Sequence, residues 1–438
     1  MAPSAPIVGI AADDVTGATD SVVQFFRAGW SSRLLLGSAL PHDVVPGSAL
    51  ALTSDARAME PTGARAATAS AVADLVTAGA DQLYLKIDST MRGSVGAQLA
   101  GALDAWQEHH PGCFAVVCPA YPAMGRTIED GLLRVHGGPV EDSPAGRDPV
   151  TPVPTSDFSQ LLPGTTTISL SGSPEQDADA LSAAASGGVV VVNAASDDDL
   201  RTLAAALVAA GPTAIPAGSA GLAAAMAEAW ADAWAGVKAG VSADATAGVT
   251  APSPVPGPQG GRIVVVVSSL HDVARTQTAH LRDQLDSTDL RVLQPDASLL
   301  REPDRLAEWT AAELAHAVPR VVVVLSPEPA VTPAAMTGTE IARSLATVVR
   351  QMLARTDVGA LVLVGGDGAR AVLDSSQAQA LRITGAVQEG IPVGVLEGGT
   401  AAGTIVVTKA GGFGPVHALL DTVNHLAPTL AHHPEVSP

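Results

Sequence analysis

The feature that most restricts how this chain can fold is a set of short runs dominated by Val, Ile and Leu. In the second half they fall at residues 263–267, 321–325, 361–364, 393–396 and 405–408. Runs of this length with no polar alternation have no face to offer water, so they need cover on both sides. Parallel strands joined by crossover helices meet that need. Helical periodicity fills the gaps at residues 273–285, 303–315 and 338–354. The first half repeats the grammar, with strands expected at 8–12, 33–36, 49–53, 82–87, 114–117, 166–170, 189–193 and 213–215. Helices are expected at 61–78, closed by Gly79, through Trp106, and from 218 to about Trp234. Residues 133–158, rich in turn formers, read as a long irregular loop.

The expected fold class is therefore α/β, with two doubly wound α/β domains. Residues 237–260 carry Ala, Gly, Ser and Pro without periodicity and read as a linker. That sets an N-terminal domain at 1–236 and a C-terminal domain at 261–438.

Open α/β sheets bind ligands at the carboxyl ends of their strands, and polar residues gather at those ends here. The stretch 8–20 (VGIAADDVTGATD) ends a strand on Asp13 and Asp14 and opens a helix at Thr16. Paired acids beside a helix N-terminus could orient a hydroxyl and meet an anion, although such an acid more often only caps the helix. Residues 86–98 (KIDSTMRGSVGAQ) place Lys86, Asp88, Ser89, Thr90, Arg92 and Gly93 after another strand. Arg92 could grip a carboxylate or phosphate and Asp88 could take a proton; alternatively Lys86 and Asp88 form a structural ion pair. Tyr121, Gly125, Arg126 and Thr127 mark a third such end. This mixture of charges suits a small, hydroxylated, anionic substrate. Among the histidines, His136 is the one kept as a substrate contact.

In the second half, Gly365, Gly366, Asp367 and Gly368 follow a strand and precede a helix, and residues 409–414 (KAGGFG) follow the last strand. Backbone N–H groups of such turns can approach phosphate. No P-loop, dinucleotide fingerprint, H-E-x-x-H or nucleophile elbow is present. With 24 Lys and Arg against 44 Asp and Glu, the formal charge of −20 disfavours nucleic-acid and anionic-membrane partners. Cationic residues must therefore be concentrated at the site, with Lys86, Arg92, Arg126 and Lys409 as candidates. Two cysteines, Cys113 and Cys118, read as small core residues in a reducing compartment. The absence of a secretory pattern or a membrane-length apolar run sets the expectation of a cytoplasmic protein.

Taken together, residues 11–20 (AADDVTGATD), 86–97 (KIDSTMRGSVGA), 119–127 (PAYPAMGRT), 218–223 (GSAGLA), 364–371 (VGGDGARA) and 408–414 (TKAGGFG) resemble the four-carbon acid sugar kinase family. The resemblance runs over nearly the whole chain. It implies ATP-dependent phosphorylation of the terminal hydroxyl of threonate, erythronate or a 3-oxo-tetronate, with the active site in a cleft between the two domains. By position, Asp13, Asp14, Lys86, Asp88, Ser89, Arg92, Gly93 and Arg126 would handle the sugar acid. Asp14 or Asp88 would accept the hydroxyl proton, and Arg92 and Lys86 would meet the substrate carboxylate or the developing charge. Ser268, Gly365, Gly366, Asp367, Gly368 and Gly411 would contact ATP, with Mg²⁺ bridging its phosphates. The chain departs from the family pattern at Val267-Ser268-Ser269-Leu270-His271, where Gly-Ser-Cys or a similar small-residue turn is usual. It also carries Gly368 where Thr is usual and Gln98 where an acid is usual. The expected partner is the small sugar acid, with a homodimer as the assembly considered. A nonenzymatic sugar-acid sensor on the same frame is the alternative.

Overall fold

The computed structural model describes residues 5–36, 44–148, 150–186, 188–234, 261–316, 318–328 and 336–431. The expected linker, 237–260, lies outside them. The chain divides into two compact units, with the described residues up to Trp234 forming the body of the first and those from Gly261 the body of the second.

The first unit contains β1 (Val8–Ala12), α1 (Val15–Arg27), β2 (Ser31–Leu35), β3 (Ser48–Thr53), α2 (Pro61–Thr77), β4 (Gln82–Lys86), α3 (Val95–Trp106) and β5 (Phe114–Cys118). After these come β6 (Arg126–Glu129), β7 (Leu132–Val135), β8 (Gly138–Pro139), α4 (Phe158–Leu161), β9 (Thr166–Ile168), α5 (Pro174–Ala185), β10 (Val189–Val192), α6 (Asp197–Ala210), β11 (Ala214–Gly218) and α7 (Ala220–Ala233). Its main sheet is parallel throughout, in the order β2-β3-β1-β4-β11-β5-β10-β9. Every residue of β1, β4 and β5 is buried, including Gln82 and Lys86 at the two ends of β4. The stretch expected to be one irregular loop is partly ordered by pairing: β6, β7 and β8 form a small antiparallel sheet. The left-handed residues Asp130, Gly131, His136 and Gly137 make the tight reversals between those strands. Cys113 and Cys118 are free and buried.

The second unit contains β12 (Arg262–Val267), α8 (Asp272–Gln284), β13 (Leu290–Leu293), α9 (Pro303–Leu314), β14 (Val321–Leu325), α10 (Gly338–Arg355), β15 (Val358–Val364), α11 (Gly366–Ser375), β16 (Ala380–Gln388), β17 (Ile391–Glu397), β18 (Ile405–Lys409) and α12 (Ala418–Ala431). Strands β13-β14-β12-β15-β18 are parallel, β17 is added antiparallel to β18, and β16 pairs antiparallel with β17 in turn. The antiparallel hairpin was not foreseen, because β16 carries Arg382, Thr384 and Gln388 among its apolar residues. Ile263, Val265 and Val267 pack under Ala274 and Leu281 of α8 and Leu419 and Val423 of α12. The chain moves from β12 to β14 on one side and to β15 on the other. The ends of β12 and β15 therefore flank a topological switch point, where such sheets hold ligands. No helix among the described residues is long and apolar enough to cross a membrane.

Candidate active site

At the end of β1, Asp14 caps α1: its Oδ1 accepts from the Gly17 N–H at 2.6 Å and its Oδ2 from the Thr16 hydroxyl at 2.9 Å. Asp14 also accepts from Arg57, whose Nη1 donates to Oδ2 at 2.6 Å. A Cβ at Gly17 would lie 2.8 Å from Asp14 Oδ1 and 2.9 Å from Lys86 Nζ, so glycine makes room for both side chains over the first helical turn.

Arg57 is the residue the sequence reading missed. It sits on the short turn Ala56–Ala58 after β3, next to β1 in the sheet. Its Nε and Nη2 clamp the two oxygens of Asp13 at 2.8 and 2.9 Å, and Nη2 stands 3.7 Å from Asp88 Oδ2. The available signal was a lone cation just past an expected strand, with no motif around it.

The 86–93 turn supplies the second layer. Asp88 accepts from the Thr90 N–H at 3.0 Å, from the Thr90 hydroxyl, and from Arg92 Nε and Nη2 at 3.1 and 2.6 Å. Arg92 Nη1 reaches Asp148 at 3.2 Å. Lys86 does not pair directly with Asp88; its Nζ donates to the Ile87 carbonyl at 2.8 Å. Ser89 makes no side-chain hydrogen bond among the described residues. Gly93 is left-handed at φ +87°, and a Cβ there would lie 3.1 Å from Arg57 Cα and 2.5 Å from its carbonyl oxygen. Glycine thus lets this turn close onto the backbone that carries Arg57. Gln98 is buried on α3 with its Nε2 unpartnered, and Ser94 stands at the N-cap.

The third turn is closed by Tyr121 N–H to Arg126 O at 2.8 Å and Arg126 N–H to Tyr121 O at 3.1 Å. Arg126 Nη1 donates to Met124 O, and its buried Nε has no partner. Among the described residues Arg126 has no carboxylate within ion-pair distance. The His136 ring lies over Gly125, filling the space a side chain there would occupy.

These contacts fix the charge states. Burial would raise the Asp14 carboxyl, but Arg57 and Lys86 outweigh it and hold the group below its ordinary value. The same contest on Asp88, against Arg92 and Arg57, leaves it well below. On Asp13 burial wins and the carboxyl is raised despite Arg57. Burial lowers the Arg126 guanidinium, with Asp88 acting the other way and Arg92 acting with it. The side chain of Asp14 is 17 % exposed, against 0 % for Asp13 and 7 % for Asp88. Of these three acids, Asp14 is the most exposed.

In the second unit, Ser268 Oγ donates to Val364 O at 3.2 Å, and Gly365 N–H donates to Lys409 O at 2.9 Å. These bonds join the ends of β12, β15 and β18. Gly365, left-handed at φ +107°, caps α11, and Asp367 lies in its first turn. A Cβ at Gly368 would fall on Ser268 Oγ and 2.5 Å from Ser268 Cβ. One at Gly411 would fall on Ser269 Oγ, and one at Gly412 would lie 3.0 Å from His271 Nε2. The departures at Ser268 and Gly368 are therefore one coupled feature, in which the larger residue on one turn fits the smaller on the other. Gly368→Thr alone is expected to destabilise the chain by ~1–3 kcal/mol and to raise the KM for ATP. Adding Ser268→Gly should recover most of both losses. Strict additivity in melting and kinetics would contradict the coupling.

A domain of acid and guanidinium turns followed by one of glycine-lined strand ends is the arrangement expected of a two-domain small-molecule kinase. The comparisons agree: residues 8–226 match the model of a sugar-binding N-terminal domain, and residues 264–419 that of a nucleotide-binding C-terminal domain. The D-threonate kinase of Bordetella bronchiseptica is 37% identical over 424 residues, 95% of this chain and 96% of that one. The D-erythronate kinase of Heliobacterium modesticaldum is 35% identical over 150 residues, 33% of each chain. A solved Salmonella typhimurium structure, described as a putative tRNA synthase, has a TM-score of 0.72 at 20% identity, covering 95% of this chain and 98% of that one. It shares the fold. The chain belongs to the four-carbon acid sugar kinase family and is a phosphotransferase with an alcohol group as acceptor. Its kinase relatives support the enzyme reading and lend nothing to the sensor.

Proposed function

We propose that the chain transfers the terminal phosphoryl group of ATP to the 4-hydroxyl of a four-carbon sugar acid, with D-threonate as the acceptor. Relatives matched over nearly their full length carry that specificity in their names, whereas the D-erythronate kinase matches over a third. The observation that carries the reading is the partly exposed Asp14 carboxylate, held ionised by Arg57 beside Lys86, within one domain that also holds an unpaired arginine.

In this mechanism Asp14 orients the acceptor hydroxyl and takes its proton. Phosphoryl transfer through a loose transition state asks little more of a base. Asp13 and Asp88, less exposed than Asp14 and gripped by the guanidinium groups of Arg57 and Arg92, act as positioning residues. Lys86, electrostatically coupled to Asp14, meets charge developing on the transferred group. Arg126 takes the substrate carboxylate, with Arg92 Nη1 as the second donor once Asp148 gives way. The N–H groups of Gly366, Asp367, Gly368 and Gly411, with the Ser268 hydroxyl, cradle the ATP phosphates. Transfer requires that the terminal phosphate reach the acceptor hydroxyl in line.

Among the described residues no group of three or more His, Cys, Asp or Glu side chains is placed to hold a metal ion. The acids described above already face guanidinium groups. Mg²⁺ therefore enters this reading as the cation carried by the nucleotide's own phosphates, not through a protein cage. The cytoplasm, which supplies ATP and keeps thiols reduced, is the compartment we assign.

Coupled assays of ATP consumption with D- and L-threonate, D- and L-erythronate and the 3-oxo acids test the proposal. D-threonate should give the highest kcat/KM, and no ATP consumption with any of them would refute it. Arg126→Gln should raise the KM for the sugar acid roughly ten- to hundred-fold, with kcat and the KM for ATP within a few-fold of wild type. Arg126→Lys should recover part of the loss. An unchanged sugar-acid KM in both variants would remove Arg126 from the site.

A further inference from the structure

Among the described residues, the second domain also holds a buried lysine with no counter-charge. Lys409 ends β18 and is 1 % exposed. It continues the face of Ile405 and Val407, which pack in the core shared with α8 and α12. Lys409 pairs with Val364, and its carbonyl accepts the Gly365 N–H at 2.9 Å. Its side chain therefore springs from the root of both glycine turns. Lys409 Nζ donates to Ala410 O at 2.9 Å; among the described residues it has no other hydrogen-bond partner and no ion pair. The ionisable residues at the ends of the neighbouring elements are His271, Asp272 and Arg275 on the α8 side, Asp367 on α11 and His417 and Asp421 at α12. None of them pairs with it. An ammonium buried against one neutral carbonyl is unstable unless something supplies negative charge.

We propose that the phosphate chain of the bound nucleotide supplies that charge, making Lys409 a nucleotide-binding residue whose ammonium is completed by the ligand. This rests on the nucleotide reading of the second domain. It deepens that reading by naming the cation and by requiring that nucleotide binding and proton uptake be linked. Burial alone pushes the Lys409 amine down to about 7. A polyanion beside it raises that value, so the nucleotide binds the protonated form more tightly. Affinity should then weaken as pH rises above about 7, by up to roughly tenfold per pH unit.

Calorimetric titration of the full chain with ADP at pH 8, in buffers of different ionisation enthalpy, measures the proton directly. Wild type should take up close to one proton per ADP bound, since the free amine is mostly neutral at that pH. Lys409→Met should abolish the uptake, weaken ADP roughly ten- to hundred-fold and melt no lower than wild type, because it removes a buried amine held by a single hydrogen bond. Lys409→Arg, charged at every pH, should bind ADP with little pH dependence, and it carries the test if the methionine variant does not fold. ADP binding by wild type without proton uptake, or uptake that persists in Lys409→Met, would overturn the role of Lys409 alone. A wild type that binds neither ADP nor ATP would overturn the nucleotide site itself.

Discussion

Arg57→Met is expected to lower stability by ~3–5 kcal/mol, the usual consequence of stripping one partner from a buried ion pair, and to abolish measurable binding of the sugar acid. One guanidinium holds Asp13 bidentately, reaches Asp14 at 2.6 Å and stands 3.7 Å from Asp88. Without it, Asp13 keeps a fully buried carboxyl whose proton affinity burial already raises. Asp14 loses the main influence holding it ionised. Differential scanning calorimetry should show a fall in Tm on the order of 10 °C. Adding Asp13→Asn should restore much of the stability by neutralising the stranded charge, but none of the activity, because Asp14 and Asp88 still lack their shared cation. A single variant that melts with wild type would show that the carboxylates are held by something other than Arg57.

Asp14→Asn separates chemistry from architecture. Asparagine is as good an N-cap as aspartate, so the bond from Gly17 N–H and the start of α1 should survive with little change in Tm. Loss of the proton acceptor should lower kcat by roughly 10²–10⁴, with the sugar-acid Kd within a few-fold of wild type. Asp88→Asn should do the reverse: the Asp88 side chain is 7 % exposed and held by Thr90 and Arg92, so its loss should loosen the 86–93 turn and raise KM before it slows the chemical step. If Asp14→Asn turned over within tenfold of wild type in stopped-flow and steady-state assays, the base assignment would be wrong.

The aliphatic runs made the parallel sheets legible, because a strand with no polar face can settle only where helices cover it on both sides. β12, β14, β15 and β18 came from that rule alone. β13 and β16 did not, since they mix Arg, Thr and Gln with aliphatics, and edge and antiparallel positions tolerate such mixtures. The acid and glycine turns were equally visible, because function and turn geometry both leave a local mark in composition.

What the sequence determined by itself was which residues stand at strand ends, since strand periodicity and turn chemistry act over a few neighbours. Which of those residues meet was decided only by the tertiary structure. Arg57 lies 44 positions from Asp13 and carries no motif, yet strand order sets it on that carboxylate. Ser268 and Gly368 look like separate irregularities until the β12–β15 pairing brings one into the space the other leaves. Charge pairing and steric fit fall off within a few ångströms, and chain distance does not measure them.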